Sequence, residues 1–311
     1  MTGRNKRLKT ILRLTSGGIT ILLVGVGVAV VLLAGFIFWD TYDVEVSAAK
    51  ERFAVYSPQE DEAGFDELKA ANDDVIGWIN VYGTNIDYPI VQAQDNWAYL
   101  SSDVFGNYSL TGSIFLDADN SADFSDFNSI LYGHNMTPAV MFGTLKDFKD
   151  KTFFDEHAYG DLYYGGDHHG LVFARMIEAD AYDGLVFTPA VTGKHDRQAY
   201  LSRLDSLTLY AREGIKVESK ERILLLSTCS NVETNIRDIL VAKITEETYP
   251  DPFAEAPKEK ADIQRVDQQK RYPVFKFIRD YWWLILIIVA TGIAASVLIH
   301  RRRRKAIKKD V

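Results

Sequence analysis

Arg222-Ile223-Leu224-Leu225-Leu226-Ser227-Thr228-Cys229 is an aliphatic run that stops at the only cysteine of the chain. A strand built from such residues and ending in a thiol puts that thiol at the rim of a sheet. Eight residues on, Arg237 opens a second run of the same kind, Arg237-Asp238-Ile239-Leu240-Val241-Ala242-Lys243-Ile244. Consecutive strands are usually neighbours, so the end of the first lies near the start of the second, and Cys229 can sit beside Arg237. A third run, Ser129-Ile130-Leu131-Tyr132, ends in Gly133-His134-Asn135-Met136. Of the six histidines, His134 alone follows an apolar strand and a glycine; His157, His168, His169 and His195 lie in polar stretches, and His300 lies beside an apolar segment near the end of the chain.

Working outward, further strands are expected at Val75–Tyr82, Ile86–Val91, Ser113–Asp117 and Leu171–Ile177. Gly83-Thr84-Asn85 supplies a turn between the first two, and Pro89 marks the second as an edge or strand-end segment. Tyr163-Tyr164 before Gly165-Gly166-Asp167 reads as a hairpin tip. Helical patterns fall at 65–71, 140–149 and 196–212; in the last, Tyr200, Leu204, Leu207 and Tyr210 line one face. About seven strands with few helices point to a barrel or a sandwich. The expected organisation is a helical lead-in over 40–74, a β domain over 75–245 and a proline-bearing, charged linker over 246–280.

The two ends are of another kind. No charge occurs between Arg13 and Asp40, and Tyr281 to Ile299 is again uncharged. About 20 apolar residues in a helix cross the roughly 30 Å hydrocarbon core of a bilayer. Spans are expected at 16–39 and 281–299. Arg4, Lys6, Arg7, Lys9 and Arg13 precede the first, and Arg301–Arg304, Lys305, Lys308 and Lys309 follow the second. Basic flanks stay in the cytoplasm, so the basic tails 1–15 and 300–311 are expected inside and residues 40–280 outside. Ser47-Ala48-Ala49 resembles a signal-peptide cleavage site, but it lies well past an apolar run too long for such a peptide. The net charge is −8, and the positive charge concentrated in the tails leaves the outer segment more acidic still. That excludes nucleic acid as an expected partner.

A cysteine, a histidine and an arginine at strand ends suffice for acyl transfer. The thiolate attacks, the histidine moves the proton, and the guanidinium stabilises the developing oxyanion, with the Ser230 N–H as a second donor. Each residue also has a plainer reading: a small buried hydrophobe, a turn histidine, a solvated edge charge. One cysteine and the pair His168-His169 offer no zinc spacing, and no cofactor or metal is expected.

The chain resembles the sortases, and their class B branch in particular. Leu226-Ser227-Thr228-Cys229, Tyr132-Gly133-His134-Asn135-Met136 and the strand opening at Arg237 resemble that family's three active-site motifs. Asn72–Ile79, Gly83–Val91, Gly112–Asp117 and Met141-Phe142-Gly143 are similar to further class B segments, so that the likeness covers about 65–245. The resemblance implies a mainly β, closed barrel with an N-terminal helical extension and a long helix before the nucleophile strand. It implies a cysteine transpeptidase in which Cys229, with His134 and Arg237, cleaves the sorting signal of a secreted protein at a threonine carbonyl. The thioacyl group then passes to an amine, that of a cell-wall precursor or of a pilin lysine. By position, Asn96, Leu100, Leu185, Ser227 and Ser230 resemble substrate-groove residues. Two departures stand out: Ser230 and Asn231 occupy positions where some class B members carry an acid, and a second span is more usual in the pilus-building class C. Two other functions stay open, a thiol peptidase using the same residues and a non-catalytic membrane adhesin or receptor.

Overall fold

The computed structural model describes residues 25–37, 48, 50–59, 62–136, 140–229 and 235–254, with the backbone alone for Glu51 and Cys229. Residues 25–37 form a helix, α1, whose valines and leucines are exposed. Among the described residues no helix is long and apolar enough to cross a membrane. The rest of the first expected span and all of the second lie outside the described residues.

Before the barrel come two short 3-10 turns, Lys50–Arg52 and Ala54–Tyr56, and helix α2, Glu62–Ala71. The barrel strands are β1 Val75–Val81, β2 Asp87–Val91, β3 Ile114–Leu116, β4 Asn128–His134, β5 Tyr159–Tyr164, β6 Asp167–Asp180, β8 Ile223–Cys229 and β9 Ile236–Thr245, while β7, Thr208–Ala211, lies beside β6. Helix α3, Lys151–Glu156, precedes β5, and helix α4, Lys194–Ser206, precedes β7. The strand order runs β5-β1-β2-β3-β4-β8-β9-β6, and β6 pairs back with β5, so the eight strands close into a barrel. Closure leaves no free edge in the ring.

The aliphatic run of β8 is explained by burial on both faces. Ile223 and Leu225 join Ile130, Ile239 and Val241 in one apolar cluster, which α4 covers with Tyr200 and Leu204. Leu224 and Leu226 join Leu131, Leu240 and Ala242 in the other, larger cluster. Each such side chain contributes roughly 1.5–3 kcal/mol on leaving water. The hairpin tip forms as expected: Gly165 (φ 65°) and Gly166 (φ 92°) link β5 to β6 as a two-residue loop. Nothing lies where their Cβ atoms would be, so it is the positive φ at both positions that calls for glycine.

Four expectations need correction. Pro89 is not on an edge strand, for β2 pairs with β1 (Trp78↔Pro89) and with β3. The ladder to β3 starts only at Ile90, so the missing N–H of Pro89 falls where the second side is still open. The helix expected over 196–212 ends at Ser206, and Thr208–Ala211 pairs with β6 as β7; Thr208 and Tyr210 are strand formers that the helical spacing concealed. Residues 140–144 form a turn, and the 3-10 helix starts only at Leu145. His157 is not in polar surroundings: it is buried and stacked between Phe153 (3.7 Å) and Phe253 (4.7 Å). Phe253 and Tyr249, which stacks on Tyr159 at 4.3 Å, hold the first part of the expected linker against the barrel.

Candidate active site

Strands β4 and β8 run parallel and in register over seven pairs, from Asn128↔Ile223 to His134↔Cys229. The histidine and the cysteine are therefore the last pair of the ladder, and their Cα atoms face each other at the barrel rim. Strand β9 is antiparallel to β8, with Ser227↔Ile239 as the last ladder pair. The Asp238 N–H donates to Thr228 Oγ1 at 3.3 Å, so the two strands stay together beyond that pair. Counting one residue further along each brings Arg237 level with Cys229. Arg237 is partly buried, and its other neighbour is Ala179 of β6.

The imidazole of His134 has a defined tautomer. Its Nε2 lies 2.8 Å from the carbonyl oxygen of Leu100. A carbonyl only accepts, so Nε2 carries the hydrogen, and in the neutral ring Nδ1 keeps the lone pair. Nδ1 is buried and has no hydrogen-bond partner among the described residues. Among the described residues the ring is thus held by one nitrogen only. Gly133 permits the strand end behind it: a Cβ there would lie 2.7 Å from the Phe142 ring, whose residue donates its N–H to the His134 carbonyl at 3.1 Å.

The expected groove residues divide. Leu100 acts through its carbonyl. Asn96 is held at both ends of its amide, donating to Asp117 Oδ2 (3.0 Å) and accepting from the Ala118 N–H (2.8 Å). Ser227 is fully buried, two residues before Cys229, and its hydroxyl has no partner among the described residues. Leu185 lies in the connection between β6 and α4 and is 42% exposed. Ser230 lies outside the described residues. Sequence reasoning missed Tyr132, whose hydroxyl donates to the same Asp117 oxygen as Asn96, at 2.9 Å. The available signal was spacing, since Tyr132 precedes His134 by two and so shares its strand face. Tyr132 is also the register partner of Ser227.

Asp183 shapes the segment that carries Leu185. Its carboxylate accepts from the N–H groups of Leu185 and Val186 (3.1 and 3.2 Å) and pairs with Arg203 of α4 (2.6 and 2.8 Å). Burial pulls its pKa upward, but the Arg203 guanidinium and the two amides outweigh that and hold the carboxyl below its usual range. A depressed folded-state pKa contributes stability above the unfolded value, which is lost as pH falls through the folded one. Asp183→Asn is therefore expected to lower stability by about 1 kcal/mol or less at pH 6, since Arg203 is partly exposed, and by progressively less toward pH 3. Thermal unfolding of both chains across that range checks it; a difference that grows on acidification contradicts the assignment.

With this geometry in view, the relatives can be placed. No protein-family model matches the chain. Sortase B of Listeria monocytogenes is 34% identical over 165 residues, covering 52% of this chain and 65% of its own length, just under two thirds. Sortase B of Staphylococcus aureus is 30% identical over 182 residues, 58% of this chain and 74% of its own. The chain belongs to the class B sortases. The crystal structure of sortase B from the type II pilus of Streptococcus pneumoniae has 48% sequence identity and a TM-score of 0.51, covering 59% of this sortase and 99% of that chain. Class B sortases are cysteine transpeptidases, and in this one the closed barrel brings its only cysteine into register with a histidine.

Proposed function

We propose that Cys229, His134 and Arg237 are the catalytic residues of this transpeptidase. The observation that carries the assignment is the terminal ladder pair His134↔Cys229 with Arg237 level on the neighbouring strand. The Cys229 thiolate attacks the threonine carbonyl of a sorting signal, and the oxyanion that forms is stabilised by the Arg237 guanidinium. His134 Nδ1, protonated, gives its proton to the departing amine, and the C–N bond breaks to leave a thioacyl enzyme. An incoming amine attacks that thioester, returns a proton to Nδ1, and expels the thiolate as the new amide forms. Asn96, Leu100, Leu185, Ser227 and Ser230 are assigned to binding of the peptide, Ser227 from a fully buried position in β8.

The partners follow as part of the same reading. The donor is a secreted protein with a C-terminal sorting signal. The acceptor is a lysine of a pilin subunit, favoured over a cell-wall precursor by the 48% identity to a sortase described from a pilus, against 34% and 30% for the Listeria and Staphylococcus proteins. The sortase is anchored by two membrane spans with both termini in the cytoplasm and works on the outer face of the cell. The exposed apolar surface of α1 and the basic flanks support this placement.

The test is intact mass spectrometry of the full-length chain in detergent, incubated with sorting-signal peptides with and without an amine. A mass increase on Cys229 that a lysine-bearing pilin peptide converts to ligated product is the expected result. Conversion by a cell-wall peptide alone assigns anchoring instead. Release to water with no preference for amines identifies a thiol peptidase. No adduct, and a thiol inert to alkylation, leaves the adhesin or receptor reading.

A further inference from the structure

His134 is approached from two sides by segments that answer to the residues preceding the barrel. One is the turn at 140–143. Met141 there has φ 51°, the left-handed region, which a residue with a side chain keeps only where its surroundings enforce it. Met141 forms an isolated antiparallel bridge with Asn135, the residue after His134. The next residue, Phe142, donates to the His134 carbonyl and packs its ring on Gly133. The turn is therefore the clamp on the end of β4.

What holds the clamp is Tyr88 of β2. Its hydroxyl accepts the Met141 N–H at 3.2 Å and donates to the Ala48 carbonyl at 2.9 Å. Tyr88 is 1% exposed, Met141 3% and Ala48 fully buried, so water does not compete for these bonds. Phe53 packs edge-on against the Tyr88 ring at 6.0 Å. The second segment is 99–105, which carries the Leu100 carbonyl. It too is held from upstream: Asn72 donates to Tyr99 Oη (2.9 Å) and to the Val104 carbonyl (2.7 Å), Tyr99 donates to Asp74 (2.8 Å), and Arg52 pairs with Asp103 (3.0 Å).

We propose that Tyr88 is a positioning residue for the transfer reaction: through Met141 it sets the end of β4 and hence the imidazole of His134, and through Ala48 it makes that setting depend on the seating of the segment before the barrel. The hydroxyl has a use beyond packing, since phenylalanine fills the same space. Without it the Met141 N–H is left buried and unbonded next to a left-handed residue, and the turn relaxes. Relaxation moves the proton-transfer atom relative to Cys229 and leaves the peptide groove in place. The inference rests on the assignment of His134 as acid and base.

The experiment compares full-length Tyr88→Phe and His134→Ala with the natural chain. Tyr88→Phe is expected to lose at least tenfold in kcat with KM within twofold. The pH profile of Cys229 alkylation is expected to shift toward that of His134→Ala. Active-site titration and thermal unfolding report whether the variant is folded. An unchanged kcat and alkylation profile beside an inactive His134→Ala overturns the role of Tyr88 alone. A fall in kcat matched by an equal fall in titratable sites reduces Tyr88 to a structural residue and also overturns it. Full activity of His134→Ala removes the site assignment itself.

Discussion

Cys229→Ala is expected to fold, to bind the sorting peptide and to transfer nothing, with a loss of at least about 10⁴-fold. The strand gives the reason for intact folding. Cys229 is the last residue of β8, and the buried residues that fasten the strand, Ile223 to Leu226, all precede it. Alanine keeps the His134↔Cys229 backbone pair, so the ladder is unaffected. The chain has no other thiol to take over the attack. The peptide should therefore remain bound and uncleaved, and a complex stable enough to isolate is the useful by-product. Intact mass, peptide binding and unfolding are read on one sample. Residual turnover in Cys229→Ala would mean that the nucleophile is not this residue.

His134→Ala is expected to lower transfer by about 10³-fold, the middle of the range for a positioned acid and base. Both halves of the reaction need the same nitrogen, once to protonate the amine that leaves and once to relieve the amine that arrives. The thiol remains, so slow alkylation of Cys229 persists, and a thioacyl adduct still accumulates from an activated thioester whose leaving group needs no proton. That second readout separates loss of proton transfer from loss of the site. Stability should change little, because the partly buried Leu100 loses one hydrogen bond, worth about 1 kcal/mol. Equal loss with the activated substrate would assign His134 to substrate binding instead.

The strands and the strand-end positions of Cys229, His134 and Arg237 were legible because these are local signals, while closure into a barrel came from the resemblance. An aliphatic run that ends in Ser-Thr-Cys, and another that ends in Tyr-Gly-His, announce strand ends without reference to anything distant. Hairpin chemistry was equally local at Gly165-Gly166. What stayed hidden depends on distant partners. Nothing around Thr208–Ala211 says that β6 will offer it an edge, so a helical spacing of apolar residues prevailed. Pro89 misled because its environment is decided by where β3 begins its pairing. Asp117 unites Asn96 and Tyr132 across gaps of 21 and 15 residues, and Tyr88 reaches Ala48 and Met141 across 40 and 53. Such hydrogen bonds leave no mark in a linear pattern.

The parallel pairing of β4 with β8 has a consequence for the timing of activity. Residues 134 and 223 are separated by six further strand and helix elements, and a parallel neighbour is reached only after the whole intervening chain has been made and threaded into place. Such distant pairings form late, after their loop entropy has been met by closer contacts. The His134↔Cys229 pair therefore forms only once β8 finds its place between β4 and β9. Juxtaposition of the histidine and the cysteine becomes a report on completed folding, and a partly built barrel does not yet pair them.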